Sequence, residues 1–221
     1  AVAEGRARDV FRSSAGPADA ISAAVSPLTD YRANFADAAV NARLFTVTAV
    51  SGSLPDRIRL ATLSSYDGAQ YRVSASGADG SFLRVPSRLA AEPGSSATVR
   101  VQISGLRGIW LPTFGSLQEL RFTGKDAAAA ADSFYYDAEA EAGVVTAGTS
   151  TGQTYTVTAT TPAVADLHGL QAPGTSPSVA IPDSVKSWIQ NQDAGTGGAG
   201  LDDLVQLLRE RGYLSHALSV S

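Results

Sequence analysis

Neither cysteine nor methionine occurs in the 221 residues, and histidine occurs only twice. Without cysteine there is no disulfide, no thiolate metal site and no thiol nucleophile within these residues. Cysteine absence does not fix a compartment, because extracytoplasmic bacterial domains often do without disulfides. His168 and His216, the two imidazoles, are too few and too far apart in the chain for a histidine zinc site. Methionine is missing even at position 1, so the expectation is a piece cut from a longer chain. A dominant charge is also lacking: 17 Lys and Arg against 21 Asp and Glu give a net charge of -4, and basic residues gather in nothing larger than a pair or triplet. Such a surface does not attract phosphates, so nucleic acid is not an expected partner. No run approaches the roughly 20 apolar residues that span a bilayer, and the opening "AVAEGRARDV" has no apolar signal-peptide core. These residues are expected to be soluble by themselves.

What is present suits a globular protein, with 44% hydrophobic residues in a chain long enough for one large or two small domains. Residues 1–42 read as an irregular leader with a short helix near Tyr31 to Ala39. From residue 43 the pattern changes to strand period. In "RLFTVTAVS" the residues Phe45, Val47 and Ala49 share one face while Thr46 and Thr48 share the other. "RIRLATLSSY" sets Ile58, Leu60 and Thr62 opposite Arg57, Arg59 and Ala61, and Asp67-Gly68 then separates it from "AQYRVSA". An Asp-Gly pair between alternating runs predicts a hairpin closed by a type I′ turn. "ATVRVQISG" turns Val99, Val101 and Ile103 inward, and "ELRFTG", "SFYYD", "EAGVVTAG" and "QTYTVTATT" follow at short spacing. The predicted fold is mainly β: an antiparallel β-sandwich, Ig-like or barrel-like, over residues 43–165.

Residues 166–181 read as a linker rich in proline and glycine. Residues 182–221 read as a helical segment. A helix capped by Asp183 or Ser184 presents Val185, Trp188 and Ile189, and "DAGTGGAG" forms a flexible loop. A last helix begins near Leu201 and stops at Gly212, with Leu201, Leu204, Val205 and Leu208 as its apolar stripe. Asp202 and Asp203 suit its positive end, and Arg209 and Arg211 its negative end.

Five stretches carry a resemblance: "SPLTDYR" (Ser26 to Arg32), "LFTVTAV" (Leu44 to Val50), "RIRLATLSSYDGAQYRV" (Arg57 to Val73), "WLPTFG" (Trp110 to Gly115) and "LVQLLRERGYLSHAL" (Leu204 to Leu218). In their order and reach the chain resembles the extracytoplasmic N-terminal β-region of membrane-anchored bacterial transglutaminase-like proteins of the actinobacterial kind. The resemblance implies transmembrane helices first, then a β-rich region, then a papain-like core with a Cys-His-Asp triad. The last helix resembles the opening of that core, so the chain would stop before the triad. The implied role is a non-catalytic domain at the outer face of the bacterial plasma membrane, supporting the downstream core, its partner within the same chain. Catalytic, cofactor-binding and metal-binding residues would then all be absent from this chain.

Several residues invite sharper readings. His216 in "YLSHAL" has no nearby thiol and no GxSxG elbow, and the resemblance puts the triad histidine after the cysteine, so it reads as a helix-end or surface histidine. His168 with Asp166 in "ADLHG" has the spacing of one strand face, but reads more plainly as a linker-edge residue. Asp132, Asp137, Glu139 and Glu141 form an acidic stretch that could serve a two-carboxylate glycosidase or could simply solvate a loop; it lacks the ladder of an EF-hand. Trp110, followed by Leu111 and Pro112, is either an exposed stacking platform or a core filler. A free-standing extracellular binding module for carbohydrate or protein, and a small hydrolase built on the acidic stretch, remain the competing functions.

Overall fold

The computed structural model describes residues 17–37, 39–66, 68, 71–73, 82–85, 88–163, 166–171 and 181–211. The chain divides into two compact units, Ala1–Ala163 and Val164–Ser221.

Among its described residues the first unit contains helices α1 (Ala18–Ala23) and α2 (Pro27–Ala33) and then strands β1 (Phe45–Ser51), β2 (Ser65–Tyr66), β3 (Tyr71–Arg72), β4 (Ser95–Ile103), β5 (Trp110–Leu111), β6 (Ser116–Thr123), β7 (Phe134–Asp137), β8 (Ala142–Val145) and β9 (Thr154–Thr161), with helix α3 (Ala127–Asp132) between β6 and β7. They form an open four-stranded sheet in the order β1-β4-β9-β6, a three-stranded sheet β5-β8-β7 and a two-stranded ribbon β2-β3. All pairings within strands are antiparallel. The fold is mainly β, and among the described residues no sheet closes into a barrel.

Two-residue periodicity sets the layers. Ala97, Val99, Val101 and Ile103 on β4 and Tyr155, Val157 and Ala159 on β9 are all buried. They meet Leu111, Phe134, Tyr136 and Val145 of the shorter sheet in one core. The shorter sheet is covered on its other face as well, where Trp110, Ala142 and Val144 pack with Ile21 of α1 and Phe82. Strand β8 is therefore buried at every position, as expected of a strand with apolar layers on both sides.

The described part of the leader, from residue 17, contains two short helices. Its second helix begins at Pro27 and ends at Ala33 instead of lying near Tyr31 to Ala39, because proline's fixed φ and missing N–H suit a first helical position. The run from Arg57 to Tyr66 is not one strand. Arg59 makes a single antiparallel bridge to Thr113, Ile58 packs against the first core and Ala61 against the second. A segment serving two cores crosses between layers and cannot run along one sheet. The hairpin forms, with Tyr66 opposite Tyr71 and Gly68 at φ 97°. Four residues separate that closing pair, so the connection is longer than a two-residue type I′ turn; Asp67 lies outside the described residues.

Among the described residues of the second unit, a 3-10 turn (Leu167–Gly169) is followed by α4 (Asp183–Gln190) and α5 (Gly197–Arg211). Neither Asp183 nor Ser184 caps α4: Pro182 holds the cap position, with no side-chain cap bond, and Asp183 is already helical. Helix α5 begins at Gly197, four residues ahead of Leu201, and takes in glycines that read as loop. A Cβ on Gly198 would lie 1.8 Å from Leu167 O, so this helix meets the 3-10 turn at a distance only glycine allows. Packing has overridden glycine's poor helix propensity. Leu204 and Val205 are half-buried, whereas Leu201 and Leu208 are exposed. Val185, Trp188 and Ile189 of α4 are exposed too. Gly212 and His216 lie outside the described residues. No helix among the described residues is long and apolar enough to cross a membrane.

Candidate functional site

The acidic stretch folds into the β7–β8 connection. Asp137 closes strand β7 and is buried; its Oδ1 accepts the N–H groups of Glu139 and Ala140, each at 2.9 Å. Such an Asx arrangement shapes a tight turn. Glu141 sits at φ 49°, in the left-handed region where a non-glycine residue is uncommon. Its side chain is held from two sides: Arg59 Nη1 lies 2.7 Å from Oε2, and the Ser116 hydroxyl donates to Oε1. Arg59 also donates to the Glu141 carbonyl at 3.1 Å, and the Thr62 hydroxyl to the Ala140 carbonyl at 2.6 Å.

These contacts make a clamp that fastens the shorter sheet's turn to the crossing segment and to the start of β6. Asp137 Oδ1 is held by two backbone donors and the Glu141 carboxylate by a guanidinium and a hydroxyl. Glu139 is exposed, and the backbone carbonyl of Asp132 accepts from Arg84. The stretch is thus a turn-builder with exposed members. Sequence reasoning named the acids but missed Arg59, Ser116 and Thr62, because the clamp joins positions as much as 82 residues apart.

Buried beside the clamp, Tyr136 takes the Leu117 N–H on its hydroxyl at 3.1 Å, and burial foremost raises its pKa from the ordinary 10.0. Burial raises Tyr155 well above 10.0, and its hydroxyl donates to the Pro112 carbonyl at 2.9 Å.

Trp110 is a core residue, with its indole N–H directed at the Val25 carbonyl at 3.4 Å. Its edge helps line a cavity of about 200 Å³ with Pro27, Tyr31, Leu44, Leu60 and Leu106. Four of the five stretches carrying the resemblance thereby meet at one place. On the β2–β3 ribbon Tyr66 and Tyr71 stack at 4.5 Å between centroids, each more than half exposed.

In the second unit, His168 Nε2 lies 3.0 Å from Asp202 Oδ2, which also accepts from Gln206. Asp166 does not share a strand face with His168; it caps the 3-10 turn by accepting the His168 backbone N–H at 3.0 Å. The imidazole ties this turn to α5. Among the described residues no three His, Asp or Glu side chains gather as a metal site would require.

Residues 8–166 match the family model described as the TgpA N-terminal domain. The chain belongs to that family. The TgpA N-terminal match spans the whole β-architecture and ends three residues past the close of the first unit. It sets this chain with the N-terminal regions of transglutaminase-like proteins. No curated protein and no solved structure matches the chain.

Proposed function

We propose that this TgpA N-terminal domain is a non-catalytic β-domain that precedes and supports a papain-like transglutaminase core with a Cys-His-Asp triad. In this reading the parent protein is anchored in the bacterial plasma membrane, of actinobacterial type, with this domain on the extracytoplasmic side. The helical segment from residue 182 onward then opens the core that follows. The observation carrying the reading is the family match over residues 8–166. Chemistry supports it: acyl transfer of this type needs a cysteine thiolate activated by histidine, and the chain contains no cysteine.

The test compares this chain with the same chain joined to a following transglutaminase-like core. Both are incubated with glutamine-containing peptides, with and without an amine acceptor, and then with iodoacetamide. Activity confined to the longer protein and abolished by alkylation is the expected result. Turnover by the 221-residue chain, insensitive to alkylation, would refute the assignment.

One observation favours a second reading, a binding module for carbohydrate or protein: the exposed Tyr66–Tyr71 stack. Tyrosine pairs of this kind are common anchors in recognition surfaces. Retention on immobilised glycans that disappears in Tyr66→Ser would support it.

A further inference from the structure

The two edges of the main sheet are built differently. On β6, Glu119 and Arg121 place charge on the strand and pair with each other, and a bulge between Leu117 and Glu119 breaks the register. Helix α3 packs against this strand, and the Gln118 carbonyl already accepts the Leu89 N–H at 2.7 Å. These are the devices that keep an edge from pairing with another chain. On β1 the sequence "FTVTAVS" has no charge and no proline. Its residues Phe45 to Ala49 run in unbroken register with β4 before a shift at the far end.

The direction of the β1 backbone follows from one bond. Ser104 donates to the Leu44 carbonyl at 2.9 Å, so Leu44 faces β4. By antiparallel alternation, Thr46 and Thr48 also face β4, while Phe45, Val47 and Ala49 aim their N–H and C=O groups outward. Among the described residues none of these outward groups has a hydrogen-bond partner. Thr46, Thr48 and Ala49 are exposed, and Phe45 and Val47 half-buried.

We propose that β1 is the seam of a two-fold dimer, pairing antiparallel with β1 of a second copy and joining the two sheets into one. The segment is nearly symmetric about Val47. With Val47 on the axis, Thr46 of one copy lies opposite Thr48 of the other, Phe45 lies opposite Ala49, and Val47 meets itself. In that register every outward group of Phe45, Val47 and Ala49 finds a partner. The half-buried Phe45 and Val47, which pack on the first core, continue it across the seam. Threonine pairs line the exposed face, a favourable cross-strand combination, and β1 itself carries no charge. A slip of one residue would set apolar against polar faces, so the register is specified. One strand edge is a small interface, so the association is weak and depends on concentration. The inference stands apart from the transglutaminase reading.

Sedimentation velocity of the full 221-residue chain, from micromolar to millimolar concentration, tests it. The expected result is a monomer–dimer equilibrium lost in T46K/T48K and lost in T46E/T48E. An equimolar mixture of the two variants regains the dimer, because each lysine position faces a glutamate position across the axis. Both threonines are exposed, and circular dichroism checks that the variants are folded. Val47→Pro, which removes an outward N–H and no hydrogen bond to β4, also abolishes the dimer. A wild-type chain that stays monomeric overturns the proposal and leaves the edge to a strand of some other protein. So does a dimer that persists in T46K/T48K or in Val47→Pro, or a mixture of folded variants that stays monomeric.

Discussion

Replacing Gly198 by alanine sets two physical contributions against each other. In an ordinary helix interior the exchange stabilises by about 1 kcal/mol, since alanine loses less backbone freedom on folding. At Gly198 the new Cβ would lie 1.8 Å from Leu167 O and 2.7 Å from Leu170 O. Both are backbone atoms and cannot rotate away, so the 3-10 turn and α5 must separate. Separation forfeits the Gly198 N–H to Leu170 O bond of 3.0 Å, about 1 kcal/mol. It also strains the His168–Asp202 contact, which is 62% exposed at the imidazole and contributes at most about 1 kcal/mol after solvent screening. With the lost cover over Leu167 included, the sign reverses to a net destabilisation of about 1–3 kcal/mol. Hydrogen exchange by mass spectrometry reads this directly: α5 amides should exchange about fivefold to a hundredfold faster, each factor of ten being about 1.4 kcal/mol. Gly169→Ala is the control, because a Cβ there meets nothing within 4 Å. If Gly198→Ala leaves α5 equally or better protected, helix propensity governs and the close-approach argument fails.

Gly68→Val should destabilise the first unit by about 1 kcal/mol or more through strain at φ 97°, since a side chain there has open space; a urea midpoint at or above wild type would contradict this. Arg59→Ala should cost about 1–3 kcal/mol by unpairing Glu141 and the carbonyls it binds, whereas Glu139→Ala, on the exposed side of the same turn, should change the midpoint by less than about 0.5 kcal/mol. Tyr155→Phe should cost about 1–2 kcal/mol by leaving the buried Pro112 carbonyl without its donor. In alkali the sign follows from the raised Tyr136 and Tyr155 values. The folded state holds these protons to higher pH than the unfolded chain, so their stabilisation is full below 10.0 and is lost as pH rises through and beyond it. Urea midpoints measured across that range should fall less steeply in Tyr155→Phe.

The strands that alternate cleanly were legible because burial there follows the pleat. Val99, Val101 and Ile103 on β4, and Tyr155, Val157 and Ala159 on β9, are buried as their spacing requires. Where one segment serves two layers the period fails, and Ile58 and Ala61 point into different cores. The α5 start was hidden because local propensity marks "GTGGAG" as loop, while the reason for helix there is the backbone of Leu167. The acidic residues were visible, but their roles depend on Arg59 and Ser116, which no spacing rule connects to them. Trp110 could be read either way until Ile21, Ala142 and Val144 were seen to surround it.

The strand order β1-β4-β9-β6 has a consequence for how the molecule is made, since no two neighbours in that sheet are consecutive in the chain. Strand β9 lies between β4 and β6 yet is the last of them to be synthesised. During translation β4 can meet β1, but its second edge and its apolar face wait until residues 154–161 emerge, several seconds later at roughly 5–20 residues per second. Among the described residues, the β7–β8 hairpin and the β2–β3 ribbon join strands consecutive in the chain, so they can form early, while the main sheet closes large loops and forms slowly. The period of greatest exposure to aggregation therefore falls during synthesis, and a chain interrupted before residue 154 leaves β4 and β6 with no strand to join them.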